Sequence, residues 1–162
     1  MKGVLLPVAG MVLLACGSAW ADSKTVNLTL RILVDAPPPC TVKGSAVEFG
    51  NVIIKNIDGS NYRQPVGYTL NCSNSVSDDL QMQLQGTTTI NGETVLSTGI
   101  NGFGIRIQDA SSHAPVALAG NNWLPFNVNS RPGFEAVPVK QSGTQLTASE
   151  FSATMTMVVE YQ

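Results

Sequence analysis

The chain closes on Phe151-Ser152-Ala153-Thr154-Met155-Thr156-Met157-Val158-Val159-Glu160-Tyr161-Gln162. Phe151, Ala153, Met155, Met157, Val159 and Tyr161 occupy alternate positions, with mostly polar residues between them. Successive side chains of an extended chain point to opposite faces, so this period of 2 predicts a strand with one buried face. The same pattern recurs upstream. Val66, Tyr68, Leu70 and Cys72 alternate with Gly67, Thr69 and Asn71, and Leu80, Met82 and Leu84 with Gln81, Gln83 and Gln85. Phe103, Ile105 and Ile107 form another set, and Val26, Leu28, Leu30, Ile32 and Val34 form the first. Turn signals separate the runs: Asp58-Gly59, Asn91-Gly92, Asn101-Gly102, Gly120-Asn121-Asn122 and Arg131-Pro132-Gly133. No segment beyond the N-terminal apolar run sustains a 3.6-residue period between helix caps. The expected fold class is therefore all-β and antiparallel, a sandwich rather than a barrel.

The N-terminus has a different logic. Lys2 precedes an apolar stretch from Val4 to Leu14, and Ala19-Trp20-Ala21 has the small-x-small form cleaved after export. The stretch falls short of the roughly 20 residues that span a bilayer. Residues 1–21 read as a removed signal, with Asp22 the mature N-terminus and no stable membrane insertion. Leu13-Leu14-Ala15-Cys16 offers a competing lipoprotein box, into which Leu14 fits poorly. The 141 residues left (162 less 21) suffice for one domain with a sizeable core. Loss of Lys2 takes the formal charge from −2 to −3, and no basic cluster offers a footprint for nucleic acid. Cys16 leaves with the signal, so Cys40 and Cys72 form an even pair in an oxidising compartment, and a disulfide is expected. Closing such a loop is worth about 3–4 kcal/mol in the chain-entropy model.

Pro37-Pro38-Pro39 sets the first strand apart from the rest of the chain. A proline run cannot continue a sheet ladder and holds an extended path. Two readings stand: an ordinary first strand joined to the domain by a stiff loop, or a strand that belongs in another molecule's sheet.

Catalytic patterns are missing. His113 is the single histidine, and Asp109-Ala110-Ser111-Ser112-His113 falls in a predicted loop without a nucleophile elbow or a helix start to donate to an oxyanion. A solvated turn is the expected role. Gly102-Phe103-Gly104 precedes no predicted helix and is not a dinucleotide loop. Two thiols and one histidine do not make a four-ligand zinc site. Neither an enzyme nor a cofactor is expected.

These pieces, in their order, resemble the minor pilins of the chaperone–usher pathway, the small subunits of type 1 and P-type fimbriae. The resemblance runs over essentially the whole chain: an export signal, an alternating extension, Pro38-Pro39-Cys40-Thr41-Val42, then Tyr68-Thr69-Leu70-Asn71-Cys72. Gly102-Phe103-Gly104-Ile105 with Ile107, Pro138-Val139 and the final strand ending on a penultimate Tyr161 complete it. It implies an immunoglobulin-like β-sandwich lacking its last strand, divided into a donor extension at 22–39 and a pilin domain at 40–162. The missing strand is supplied by a periplasmic chaperone and then, at the outer-membrane usher, by the extension of a neighbouring pilin subunit. Val26, Leu28, Leu30, Ile32 and Val34 become the donor side chains. Phe151, Ala153, Met155, Met157, Val159, Tyr161 and Gln162 become the groove and chaperone-binding strand, the Gln162 carboxylate held by chaperone cations. The function implied is a structural minor or adaptor subunit, exported through the periplasm to a surface fimbrium that supports adhesion. Such pilins carry glycine where this extension has Ile32 or Leu33, and shortly before the final strand, where this chain has Ser149. The donor register at Ile32/Leu33 is left open by one residue.

Two other readings compete. A sugar-binding tip adhesin needs a second domain for which one domain's length leaves no room. A self-complete secreted or lipid-anchored β-sandwich binding module would fold as a monomer without a chaperone.

Overall fold

The computed structural model describes residues 38–86, 88–118 and 120–162. Ten strands lie among them: β1 Thr41–Gly44, β2 Gln64–Val66, β3 Tyr68–Asn71, β4 Asp79–Gln85, β5 Thr88–Ile90, β6 Glu93–Ser97, β7 Phe103–Asp109, β8 Leu124–Asn127, β9 Phe134–Lys140 and β10 Thr156–Tyr161. A single 3-10 turn, Ile54–Asn56, is the only helical element among the described residues. The strands form three sheets, ordered β1-β3, β10-β4-β8 and β2-β9-β7-β6-β5, with antiparallel neighbours throughout. The fold is all-β and its sheets are not closed into a barrel.

The alternation in the sequence builds the core directly. Leu80, Met82 and Leu84 of β4 are fully buried, and Phe103, Ile105 and Ile107 of β7 join them in one cluster with Phe126 and Phe134. Burying an aliphatic or aromatic side chain of this size contributes about 1.5–3 kcal/mol, so these two strands anchor the sandwich. Cys40 and Cys72 are disulfide-bonded, with Cα atoms 4.2 Å apart, and tie the start of β1 to the end of β3.

Two expectations change. The run Val66–Cys72 is not one strand. It breaks at Gly67, so that β2 pairs with β9 in the large sheet while β3 pairs with β1. The Ser45 backbone N–H donates to the Gly67 carbonyl at 2.9 Å. A Cβ at position 67 would stand 3.0 Å from Ser45 Oγ, closer than ordinary contact, so glycine lets the two backbones meet where the chain changes sheets. The glutamines of β4 are not all solvated either. Gln83 is buried; its amide donates to the Gly120 carbonyl and its oxygen accepts from Gln85 Nε2 at 2.8 Å. The segment around Gly120 covers this face, and hydrogen bonds offset the burial of the amide.

Asn91-Gly92 forms the β5–β6 hairpin, with φ of 50° and 84°, the left-handed pair that a tight turn between twisted strands demands. Asn91 also reaches outward, donating to the Lys140 carbonyl at 3.1 Å and accepting from the Ser142 N–H at 3.1 Å.

Candidate functional site: an open groove beside the last strand

β10 uses one edge. It pairs with β4 from Thr156↔Gln85 to Tyr161↔Leu80, and it stands at the end of its sheet, so its other edge has no ladder partner among the described residues. Among the described residues β1 likewise pairs only with β3. Between these two edges lie two cavities. One cavity of about 610 Å³ runs from Val42 and Met157 to Phe49 and Phe151, floored by Leu96, Ile105, Ile107 and Ala136. A second, of about 660 Å³, continues past Phe49 and Phe151 to Val52, Ile54, Ile100 and Leu146. The lips run antiparallel, 42–49 along one side and 151–157 along the other. Where the cavities meet, the Phe151 ring stands edge-on to Phe103 with centroids 4.9 Å apart, and 6.0 Å from Phe49.

An unpaired strand edge beside a cavity floored by buried apolar side chains is a feature that a domain normally blunts or covers. Chemically it can accept one extended segment, bonding its backbone to β10 and taking alternate side chains into the floor.

The residues expected at this site divide into three groups. Phe151, Ala153, Met155 and Met157 line the groove. Val159 is buried in the core, 7% exposed. Tyr161 packs against the core while its hydroxyl accepts from the Val76 N–H at 3.3 Å and its carbonyl from Gln81 Nε2 at 3.2 Å, and Gln162 Nε2 donates to the Leu80 carbonyl at 2.8 Å. The ladder covers only Thr156–Tyr161, because β4 ends at Gln85 and offers 151–155 nothing to pair with. Val26, Leu28, Leu30, Ile32 and Val34, with the boundary at 21/22, lie outside the described residues. The second lip escaped the sequence reading, although Val47-Glu48-Phe49 carries a short period-2 signal of its own.

The loop holding the single histidine makes no nucleophile. Asp109 Oδ1 accepts from both hydroxyls and both backbone N–H groups of Ser111 and Ser112 at 2.6–3.0 Å. The Ser111 hydroxyl, then the Ser112 groups, hold the Asp109 carboxyl well below the usual carboxylate range. His113 faces away from them, its Nδ1 3.0 Å from Glu135 Oε2, to which Gln108 Nε2 donates at 2.9 Å and beside which Arg63 Nε stands at 3.3 Å. Gln108 first, with His113 and Arg63, keeps Glu135 below its ordinary value.

An all-β sandwich of unclosed sheets, with a groove beside the edge of its last strand, has the architecture of an immunoglobulin-like pilin subunit. The family model described as Fimbrial protein matches residues 26–162, and the chain belongs to that family. It is 59% identical over 160 residues to the fimbrial-like protein YfcR of Escherichia coli (strain K12), covering 96% of this chain and 94% of that one. It is 32% identical to YfcQ of the same strain, covering 94% and 97% respectively. Among solved structures it is similar to the P pilus adaptor subunit PapF, with 25% identity, a TM-score of 0.57 and coverage of 77% of this chain and 97% of that one. The P pilus rod subunit PapA shares the fold, with a TM-score of 0.56 at 18% identity, over 76% of this chain and 99% of PapA. The protein is a fimbrial subunit, a structural component of a surface fimbrium rather than an enzyme.

Proposed function

We propose that this chain is a minor or adaptor subunit polymerised by donor-strand exchange. Residues 1–21 direct export to the periplasm and are removed. Residues 22–39 supply a strand to a neighbour, and the domain from Cys40 to Gln162 receives one, first from a periplasmic chaperone and then, at the outer-membrane usher, from the next subunit. The observation that carries this reading is the free edge of β10 beside the open groove. Nine extended residues from Val26 to Val34 reach roughly 30 Å at about 3.3 Å each, enough for a full sheet edge. Their five aliphatic side chains contribute about 7–15 kcal/mol of gross burial. Ordering nine backbone residues costs about 9–18 kcal/mol, so the new ladder and the closure of the neighbour's core must tip the balance. An open groove also speaks against a self-complete sandwich.

Deletion of residues 22–35 tests the division of labour. The shortened subunit is expected to bind its chaperone with nearly unchanged affinity and to fail at joining the preceding subunit. Unfolding of the shortened subunit even with chaperone present would show that the segment is an integral strand of its own domain.

A further inference from the structure

The two large hydrophobic side chains that stand exposed among the described residues are Ile53, 51% exposed, and Val76, 87% exposed. Lone apolar residues on a surface are ordinary, and neither would carry weight alone. Their places do. Val76 follows the turn that closes when the Ser75 N–H donates to the Cys72 carbonyl at 2.9 Å, and Cys72 is bonded to Cys40. Val76 therefore follows closely on the bridge to Cys40, the root of the segment that precedes Cys40 in the sequence. The Val76 N–H donates to the Tyr161 hydroxyl, which puts that root at the C-terminal end of β10. Ile53 lies at the opposite end. Its neighbours Val52 and Ile54 line the second cavity with Phe151. Its N–H donates to the Tyr62 hydroxyl at 3.1 Å, and Tyr62 itself is held at φ 61°, a backbone conformation disfavoured for a bulky residue.

The direction of the added strand decides what these two ends meet. Antiparallel pairing is the more stable per residue, and the edge on offer is β10. A segment antiparallel to β10 enters at the Tyr161 end and leaves at the Phe151 end. Five residues, 35–39, three of them proline, separate Val34 from Cys40. Over the six steps from Val34 to Cys40, at no more than about 3.6 Å each, they bring the donor's Cys40–Cys72 corner within about 22 Å of the acceptor's groove end. That corner carries Val76, and that groove end carries Ile53.

On the strand-exchange reading, we propose that the body of the strand-donating pilin docks its loop after the second bridge cysteine, here Ser73–Ser77, onto the acceptor's Ile53 rim. The contact joins two different faces, so it is head-to-tail rather than two-fold. Its occupant is a pilin body with an aliphatic side chain at this loop, and a second copy of this chain carries both the extension and the loop.

The test uses the mature chain in its chaperone complex as acceptor. Two donors are compared, a synthetic 22–39 peptide and a full-length mature second copy. Ile53→Asp in the acceptor is expected to leave peptide uptake unchanged and to slow uptake of the second copy several-fold. Val76→Asp is expected to do the same when carried by the donor and nothing when carried by the acceptor. Oxidation of the joined pair made from an Ile53→Cys acceptor and a Val76→Cys donor should cross-link them. Equal uptake of both donors by all variants without cross-linking overturns the contact, and so does peptide uptake with no joining of the second copy. A peptide that never enters the groove overturns the strand-exchange reading itself, and this contact with it.

Discussion

Phe151 stacks edge-on against Phe103 with ring centroids 4.9 Å apart at 89°, joining the lip of the groove to its floor at the point where the two cavities meet. Phe103 is 4% exposed and belongs to the core cluster, whereas Phe151 is half-buried at its margin. Edge-to-face pairs contribute about 0.5–1.5 kcal/mol beyond the area they bury.

Phe151→Ala removes that pair and the half-buried ring. The expected loss is about 2–3 kcal/mol, below the usual range for a fully buried phenylalanine. Urea unfolding of the subunit with its groove filled measures it. A midpoint unchanged from the parent would mean that the lip contributes nothing to the folded body.

The Cys40–Cys72 bridge closes a separation of 32 residues. Cys72→Ser is expected to cost about 3–4 kcal/mol through release of the unfolded chain. Recovery of folded subunit from an oxidising periplasm should fall accordingly. Equal recovery of parent and variant would contradict this.

Gly104 lies buried on β7, and a Cβ there would stand 2.5 Å from Val95 Cγ2 and 3.1 Å from the Leu96 carbonyl. Val95 is fully buried, packed with Ile90 and Val139. Gly104→Ala should destabilise the domain by about 1–3 kcal/mol through overpacking. Thermal unfolding checks it.

How far the sequence foretold this structure depends on what covers each strand. β4, β7 and β10 were legible because their apolar sets alternate without interruption and all point to one core. Gln83 and Gln108 were not, because the segment around Gly120 and the Arg63–His113–Glu135 group bury them from outside, and period-2 patterns carry no record of such cover. The passage between sheets at Gly67 rests on a close approach to Ser45 across 22 residues of sequence, which local pattern cannot express. At the groove, the Phe151 lip came out of the alternation, while the Val42–Phe49 lip is interrupted at Gly44-Ser45 and reads as loop.

Acid should loosen the sheet end that carries Asp109 and Glu135. Both carboxyls are held below their ordinary values by hydrogen bonds in the folded state. Their contribution is thus fully present above the unfolded-state values of about 3.9 and 4.3 and is lost as pH falls through the lower folded values. Unfolding temperature tracked downward from neutral pH should fall below about pH 4, and less steeply for Asp109→Asn, which has one fewer depressed carboxyl to protonate. Identical profiles for parent and variant would contradict the assignment.

Amide exchange along Thr156–Tyr161 reaches the central claim most directly. In a free edge, the N–H groups of β10 that do not face β4 have no partner, and an accepted strand must give them one. The mature subunit, released from its chaperone into synthetic 22–39 peptide, is expected to form a stable one-to-one complex in which those amides become slow to exchange. Exchange at these amides that is the same with and without peptide, or a complex that protects some other surface, would contradict strand uptake at β10.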